Sequence, residues 1–509
     1  MKEDVTEHEE KVDKLATGIA GFDLVANGGV PLGRATLVAG TAGSGKTVFA
    51  MQFLLQGIAR GENGVFVSFE ESPDDLRRNV LGFGWHVAAL EGSKQFAFVD
   101  AAPRPEEERL ESGAYDFTAL VARIEAAVRR VGAKRVSLDS IGAVFAQFAD
   151  SSAVRRELYR ISAALKTMGV TSVVTTERNE DYGPLSRHGM EEFVADNVIL
   201  MRNVLDNEKR RRTVEILKFR GCSHQKGEYP FSVGRDGIVV IPLSAIQLKQ
   251  KSSTVRITSG SSELDAMCGG GFFRDSVILV SGATGTGKTL LVTAFSAGGI
   301  AKGERCLIFC FEESREQFFR DALGWGFDFE QLEREGQLKV VTDYPEIMPL
   351  EDHFIRMKRI MEDFKPNRVA IDSLSALERA STSRNFREFV ISLTAFVKDH
   401  EMAGLFTATT LTLLGGTSIT EAHISTICDS IILLRYVELF GEMRRGLAVL
   451  KMRGSPHDKV IREFTIDDQA MHIGRPFRNV SGIISGNPVQ LTMPPREIQK
   501  LRDLFDEKE

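Results

Sequence analysis

Two kinds of hydrophobic pattern alternate along this 509-residue chain. Short unbroken apolar runs, such as Ala35-Thr36-Leu37-Val38-Ala39, residues 64–69, Val136-Ser137-Leu138 and residues 171–176, are too short for helices and read as strands buried on both faces. Between them lie longer stretches in which apolar residues return every three or four positions. Residues 46–60, 73–82, 117–131 and 154–168 read as helices; in the third, Phe117, Leu120, Ile124, Val128 and Val131 share a face. Strand patterning resumes at 197–201 and 212–219. The alternation predicts an α/β fold, a mostly parallel sheet flanked by helices, with ligands at the carboxyl ends of the strands.

The scheme occurs twice. Gly40-Thr41-Ala42-Gly43-Ser44-Gly45-Lys46-Thr47 returns as Gly282-Ala283-Thr284-Gly285-Thr286-Gly287-Lys288-Thr289, and Phe69-Glu70-Glu71-Ser72 returns as Phe311-Glu312-Glu313-Ser314, both 242 positions later. Asp139 and Lys218-Phe219-Arg220-Gly221 return as Asp372 and Lys451-Met452-Arg453-Gly454, now 233 positions later. One gap of nine residues reconciles the two offsets, and the Pro- and Glu-rich stretch 103–115 has no compact partner in the second half. A period this long is a duplicated domain and not a solenoid. We expect a first domain over 1–247, a second over 248–485 beyond the polar linker 247–253, and a tail over 486–509 whose last stretch, 495–509, is charged and either helical or mobile.

Composition narrows the partners. With 26% charged and 43% hydrophobic residues, net charge −6 and a pI of about 6.0, nothing in the bulk electrostatics recruits DNA or an anionic membrane. No apolar run approaches the roughly 18 residues of a membrane helix, and the acidic first ten residues are no signal peptide, so a cytoplasmic protein is expected. Five cysteines lack paired zinc spacing, and Cys306 and Cys310 read as core packing.

The chemistry begins at the two glycine-rich loops. Each follows a strand-like run and opens a helix, the context of a phosphate loop, where Gly43, Gly45, Gly285 and Gly287 let backbone N–H groups converge on phosphate oxygens. Lys46 and Lys288 would reach the β/γ-phosphates of ATP, and Thr47 and Thr289 a magnesium ion. Asp139 and Asp372 close apolar strands, as the acid that holds Mg2+ through water does; a helix-capping acid is the alternative. Glu70-Glu71 and Glu312-Glu313 end the neighbouring strand. Adjacent strand residues point opposite ways, so one of each pair would face the nucleotide and orient or deprotonate a nucleophile. Lys218 with Arg220, and Lys451 with Arg453, share strand faces, and we read them as cations that reach ATP on a neighbouring subunit; a solvated basic edge is the other reading, as it is for Lys209-Arg210-Arg211-Arg212. The halves diverge at one place: Glu192-Phe193 in the first stands where Ser425-Thr426 stands in the second, within the hydroxyl-rich 417–426. A hydroxyl before a γ-phosphate is a phosphoryl acceptor, although composition alone equally allows a Ser/Thr-rich loop with no such role.

Together, the paired phosphate loops, the Phe-Glu-Glu-Ser acids, the Lys-x-Arg-Gly strands, Cys268-Gly269-Gly270-Gly271-Phe272-Phe273 and Ser418-Ile419-Thr420 with His423-Ile424-Ser425-Thr426 resemble the KaiC family of the bacterial circadian clock, from about Thr17 to Leu491. The resemblance implies tandem RecA-like domains in a double-ring homohexamer with Mg-ATP between subunits. The first ring would hydrolyse ATP slowly, with Glu71 polarising water. The second would phosphorylate and dephosphorylate Ser425 and Thr426, with Glu312 as general base, Glu313 beside it and Thr420 engaged in phosphate exchange. It also implies KaiB as a partner near 103–114, a loop that departs from the family in sequence. The tail after Leu491, with Pro494-Pro495, departs further, which leaves the need for KaiA open. A DNA-translocating ATPase would instead show basic DNA loops and stimulation by single strands, and a ring scaffold would bind ATP without turning it over.

Overall fold

The computed structural model describes residues 12–102, 117–145, 151–183, 196–206, 209–242, 252–410, 424–467, 471–478, 480–483 and 489–490. It divides into two compact units, Met1–Ile246 and Gln247–Glu509.

In the first unit the strands are β1 (Ala35–Gly40), β2 (Gly64–Ser68), β3 (Phe96–Asp100), β4 (Arg135–Asp139), β5 (Thr171–Glu177), β6 (Asn197–Asp206), β7 (Lys209–Phe219), β8 (Glu228–Gly234) and β9 (Gly237–Val240). They form one nine-stranded sheet in the order β9-β8-β7-β6-β1-β5-β4-β2-β3. From β3 to β6 every pairing is parallel; β6, β7, β8 and β9 then pair antiparallel. Alternate residues serve opposite faces: Leu37, Ala39, Val65 and Val67 join one apolar cluster, while Val38 and Phe66 join the other, which is why the strands read as unbroken apolar runs. Helices α1 (Lys46–Ile58), α2 (Pro73–Leu81), α3 (Phe117–Val131) and α4 (Ser151–Thr167) supply the cover.

The second unit repeats this with β10 (Val277–Gly282), β11 (Cys306–Cys310), β12 (Leu338–Thr342), β13 (Arg368–Asp372), β14 (Ala403–Thr409), β15 (Ser430–Leu439), β16 (Glu442–Met452), β17 (Arg462–Ile466) and β18 (Met471–Pro476), in the order β12-β11-β13-β14-β10-β15-β16-β17-β18. Helices α5 (Lys288–Ile300) and α6 (Arg315–Gly324) follow β10 and β11. The structure thus has two mostly parallel, helix-flanked sheets, one per repeat. It departs from the expected scheme at one edge. The strand expected at 197–201 runs on to Asp206, the next begins at Lys209, and no helix separates them, so the sheet turns antiparallel there. The basic run Lys209-Arg210-Arg211-Arg212 is the start of β7. Cys306 and Cys310 are fully buried in β11, as core packing requires.

Each sheet also buries an arginine at the start of its fourth strand in chain order. Arg135 donates to Glu62 and to the carbonyls of Phe53 and Ala16; Arg368 donates to Glu304 and to the carbonyls of Phe295 and Thr258. Gly57 and Gly299 make room on the helix above, since a Cβ at either would lie 2.4 Å from the guanidinium arm.

Candidate functional site

Both glycine-rich loops leave the central strand and enter a helix through a left-handed glycine, Gly45 at φ 93° and Gly287 at φ 99°, with no side chain capping the first turn. A Cβ would strain that conformation, and the uncapped N–H groups face outward for an anion. Gly43 and Gly285 are also left-handed. Lys46 Nζ donates to the carbonyls of Gly40 and Thr41, each at 3.0 Å, and Lys288 Nζ to those of Gly282 and Ala283, each at 3.0 Å. Each lysine is therefore folded over its own loop. Burial lowers the pKa of both, opposed by the carboxylates around them: Glu177, Asp139 and Glu70 for Lys46, Asp372 and Glu312 for Lys288.

The strand-end aspartates meet the loop threonines. Asp372 accepts hydrogen bonds from Thr289, at 2.7 Å, and from Thr407 on β14. Asp139 is bonded in the same way by Thr47 and Thr175. Burial pushes both carboxyl pKa values up while the hydroxyl hydrogen bonds oppose it. A hydroxyl and a carboxylate in contact beside a phosphate loop are hard oxygen donors of the kind Mg2+ takes, with phosphate and water completing the shell. Among the described residues no group of three or more His, Cys, Asp or Glu side chains converges on a metal position.

The glutamate pairs lie in bends just beyond β2 and β11, not on the strands as expected, so strand alternation does not set their directions. Glu70 lies in the field of Lys46 and Asp139, and its pKa is raised by burial and then by Glu177 and Asp139. Glu71, the expected water activator, is instead held by Asn79 on α2 at 2.8 Å. In the second unit Glu312 likewise faces Lys288 and Asp372 and is paired with Arg379 at 3.2 Å. Glu313 is half-buried, its Oε2 unpartnered among the described residues, and burial raises its pKa.

The remaining cations lie elsewhere. Lys451 Nζ donates to the carbonyls of Ser425 and Cys428, at 2.9 and 2.7 Å, and Arg453 to that of Thr426, at 2.8 Å. They brace a short 3-10 turn, Ile424–Thr426, in which Ile424 is buried, Ser425 half-buried and Thr426 exposed. Asp429 ties the turn to the start of β10: it accepts from the Val277 N–H at 2.9 Å and pairs with Lys398 at 2.7 Å. The phosphate loop leaves the other end of β10, five residues away, roughly 16 Å at strand rise. Ser425, Thr426, Lys451 and Arg453 are therefore together, and all are remote from the phosphate loop of their own domain. Lys218 and Arg220 take the same position in the first unit, where Lys218 pairs in register with Val198 and Arg220 bonds Asp196. Thr420 and Glu192, like loop 103–114 and the tail apart from Val489–Gln490, lie outside the described residues.

Sequence reasoning missed several contributors. Thr175 and Thr407 orient the aspartates; Glu177 adds a carboxylate to the first pocket; Arg379 clamps Glu312; and Arg212, within the basic run, donates to the Gly43 carbonyl at 3.1 Å. A threonine two residues before the end of the strand in each half, Thr175 in one and Thr407 in the other, was the available signal.

A doubled α/β sheet with a phosphate loop, a buried lysine and a strand-end aspartate in each copy defines a tandem nucleotide-binding ATPase. Comparison with known proteins carries this further: the family described as "ATPase: KaiC" matches residues 15–245 and again 257–477, and the chain belongs to that family. It is 63% identical over 505 residues to circadian clock protein KaiC3 of Synechocystis sp., covering 99% of this chain and all of that one. It is 53% identical over 489 residues to circadian clock oscillator protein KaiC of Synechococcus elongatus, covering 96% and 94% of the two chains, and 53% identical over 484 residues to that of Thermosynechococcus vestitus, covering 95% and 93%. Membership of an ATPase family implies that the chain binds ATP. Among the described residues, no helix is long and apolar enough to cross a membrane.

Proposed function

We propose that this chain is an ATP-dependent Ser/Thr autokinase and autophosphatase and a slow ATPase, acting in the cytoplasm as a double-ring hexamer within a KaiC-type clock or timer. One observation carries the reading: the Ser425-Thr426 turn and its two cations are tied to the far end of the sheet from their own phosphate loop. Hydroxyls and cations held there can serve only a triphosphate brought by another copy of the chain, and a closed ring supplies one to every copy.

On this reading the phosphate loop and Lys288 hold the triphosphate, while Thr289 and Asp372 hold Mg2+, which neutralises charge on the phosphates when bound. Glu312 takes the proton of the Thr426 or Ser425 hydroxyl as its oxygen attacks the γ-phosphorus and ADP leaves. For Glu312 to do so, Arg379 must release it. Lys451 and Arg453 of the copy that presents the hydroxyl stabilise charge on the transferring phosphoryl group. Removal of the phosphate runs the same geometry in reverse. In the first unit no hydroxyl pair stands at the equivalent position, so water is the nucleophile and Glu70, not Glu71, is the base that faces it. KaiB binding near 103–114 is part of the proposal; KaiA is not required by it.

Mass spectrometry of the purified chain after incubation with Mg-ATP tests this. Phosphate on Ser425 or Thr426 is the expected result, and a loop left unmodified while ADP accumulates would reduce the protein to a ring ATPase.

A further inference from the structure

The two pockets differ by one carboxylate at a position fixed by the sheet. In the first unit Glu177 is the last residue of β5 and pairs in register with Gly40, the first residue of the phosphate loop. In the second, Thr409 is the last residue of β14 and pairs with Gly282, the corresponding glycine. The next amide closes the same bond in both: Arg178 N–H to the Gly40 carbonyl at 3.0 Å, Thr410 N–H to the Gly282 carbonyl at 3.2 Å. Glu177 and Thr409 are therefore structural equivalents. Two residues earlier on each strand, Thr175 reaches Asp139 and Thr407 reaches Asp372. Strand residues two apart share a face, so Glu177 and Thr409 project on the aspartate side of the sheet, toward the γ-phosphate end of the loop. Glu177 is exposed, and no hydrogen bond from a described residue occupies its carboxylate. Thr409 Oγ1 is buried and unpartnered among the described residues. Among the described residues, the first pocket thus gathers Asp139, Glu70 and Glu177 around Lys46, where the second gathers Asp372 and Glu312 around Lys288.

We propose that Glu177 is a second water-orienting carboxylate of the first pocket, and that its replacement by Thr409 helps commit the second pocket to an alcohol acceptor. This rests on the ATPase and autokinase reading above. A water molecule has two hydrogens, and fixing its attacking lone pair on the γ-phosphorus requires an acceptor for each. Glu70 takes one proton as the water oxygen bonds to phosphorus and the bond to the β-phosphate oxygen breaks, releasing ADP and phosphate. Glu177 accepts a hydrogen bond from the second O–H and prevents the water from rotating. An alcohol presents one hydrogen, so Glu312 alone suffices in the second pocket. There a neutral Thr409 leaves a stray water without its second acceptor and adds no charge against the phosphate.

The test uses the full chain with Lys288→Ala, which silences the second pocket, so that ADP release reports the first. Glu177→Gln in that background should lower kcat about tenfold or more with KM for Mg-ATP changed less than about twofold, the split expected when nucleophile positioning and not nucleotide binding is lost. A kcat within twofold of the Lys288→Ala parent, or a loss confined to KM, would overturn the inference. The converse change, Thr409→Glu in the otherwise natural chain, should raise ADP release and lower phosphate incorporation at Ser425 and Thr426. No rise in hydrolysis would count against it even if the glutamine variant folded poorly. A parent chain that releases no ADP would overturn the ATPase reading itself, and this inference with it.

Discussion

Arg368 offers the sharpest test of how the second unit is held together. The residue is 1% exposed; its guanidinium donates from Nε to Glu304 at 2.5 Å and from Nη1 to the Thr258 and Phe295 carbonyls at 2.7 and 2.8 Å, and lies over the Phe295 ring at 4.7 Å. Arg368→Ala would leave the Glu304 carboxylate and two carbonyl oxygens without this donor and open a cavity below Phe295. Breaking one side of a buried ion pair costs about 3–5 kcal/mol, and because Arg274 still bonds Glu304 at 2.8 Å we expect the lower end, about 3 kcal/mol. For a domain of this size that lowers Tm by about 6–12 °C. Scanning calorimetry of the nucleotide-free chain should show the loss in one transition only. Arg135→Ala should cost less, since Glu62 is 29% exposed where Glu304 is 11% exposed, and water can solvate the orphaned carboxylate. The discriminating variant is Arg368→Met with Glu304→Leu, which should recover much of the loss by removing both charges. A single-variant loss below about 1 kcal/mol, or a double variant no better than Arg368→Ala, would refute the reasoning.

Other consequences are as direct. Gly299→Ala and Gly57→Ala should each destabilise by about 1–3 kcal/mol in urea unfolding, because the new methyl group lands 2.4 Å from the arginine arm in a packed core. Burial raises the folded-state pKa of Asp372 above its unfolded value, so the carboxylate costs stability that is absent below the ordinary aspartate range and grows as pH rises through it. Nucleotide-free Asp372→Asn should accordingly melt above the natural chain at pH 7, with the gap closing toward pH 4, while Mg-ATP ceases to stabilise it. Asp429→Ala unpairs Lys398 and the Val277 N–H and frees the acceptor turn from the sheet; phosphate incorporation should fall while nucleotide binding by the Gly282–Thr289 loop, read by fluorescent ATP titration, stays within about twofold.

Much of this molecule could be read from its sequence because it was written twice. The duplication singled out Lys46 and Lys288, Asp139 and Asp372, and both glutamate pairs, but strand alternation could not orient those pairs, which lie in bends past the ends of β2 and β11. In the first pair Glu71 is held by Asn79, a helix residue with no signal of its own. The buried arginines escaped notice for a different reason: a lone charged residue at the start of an apolar strand reads as exposed, and only the fold brings Glu62, Glu304 and main-chain carbonyls to it. Glu177 escaped because the two halves differ there, and comparison of repeats rewards likeness. The antiparallel edge was hidden by the very short break between β6 and β7, whose flanking strands run well beyond their apolar cores.

The central claim is that the hydroxyls of one copy meet the triphosphate of another. Chains carrying Lys288→Ala, with the acceptors intact, should be mixed with tagged chains carrying Ser425→Ala and Thr426→Ala, with the loop intact, and given Mg-ATP after subunit exchange. The account predicts phosphate on Ser425 or Thr426 of the Lys288→Ala chains in the mixture and none when those chains are incubated alone. Lys288→Ala chains that stay unmodified in mixed rings that bind ATP would contradict it.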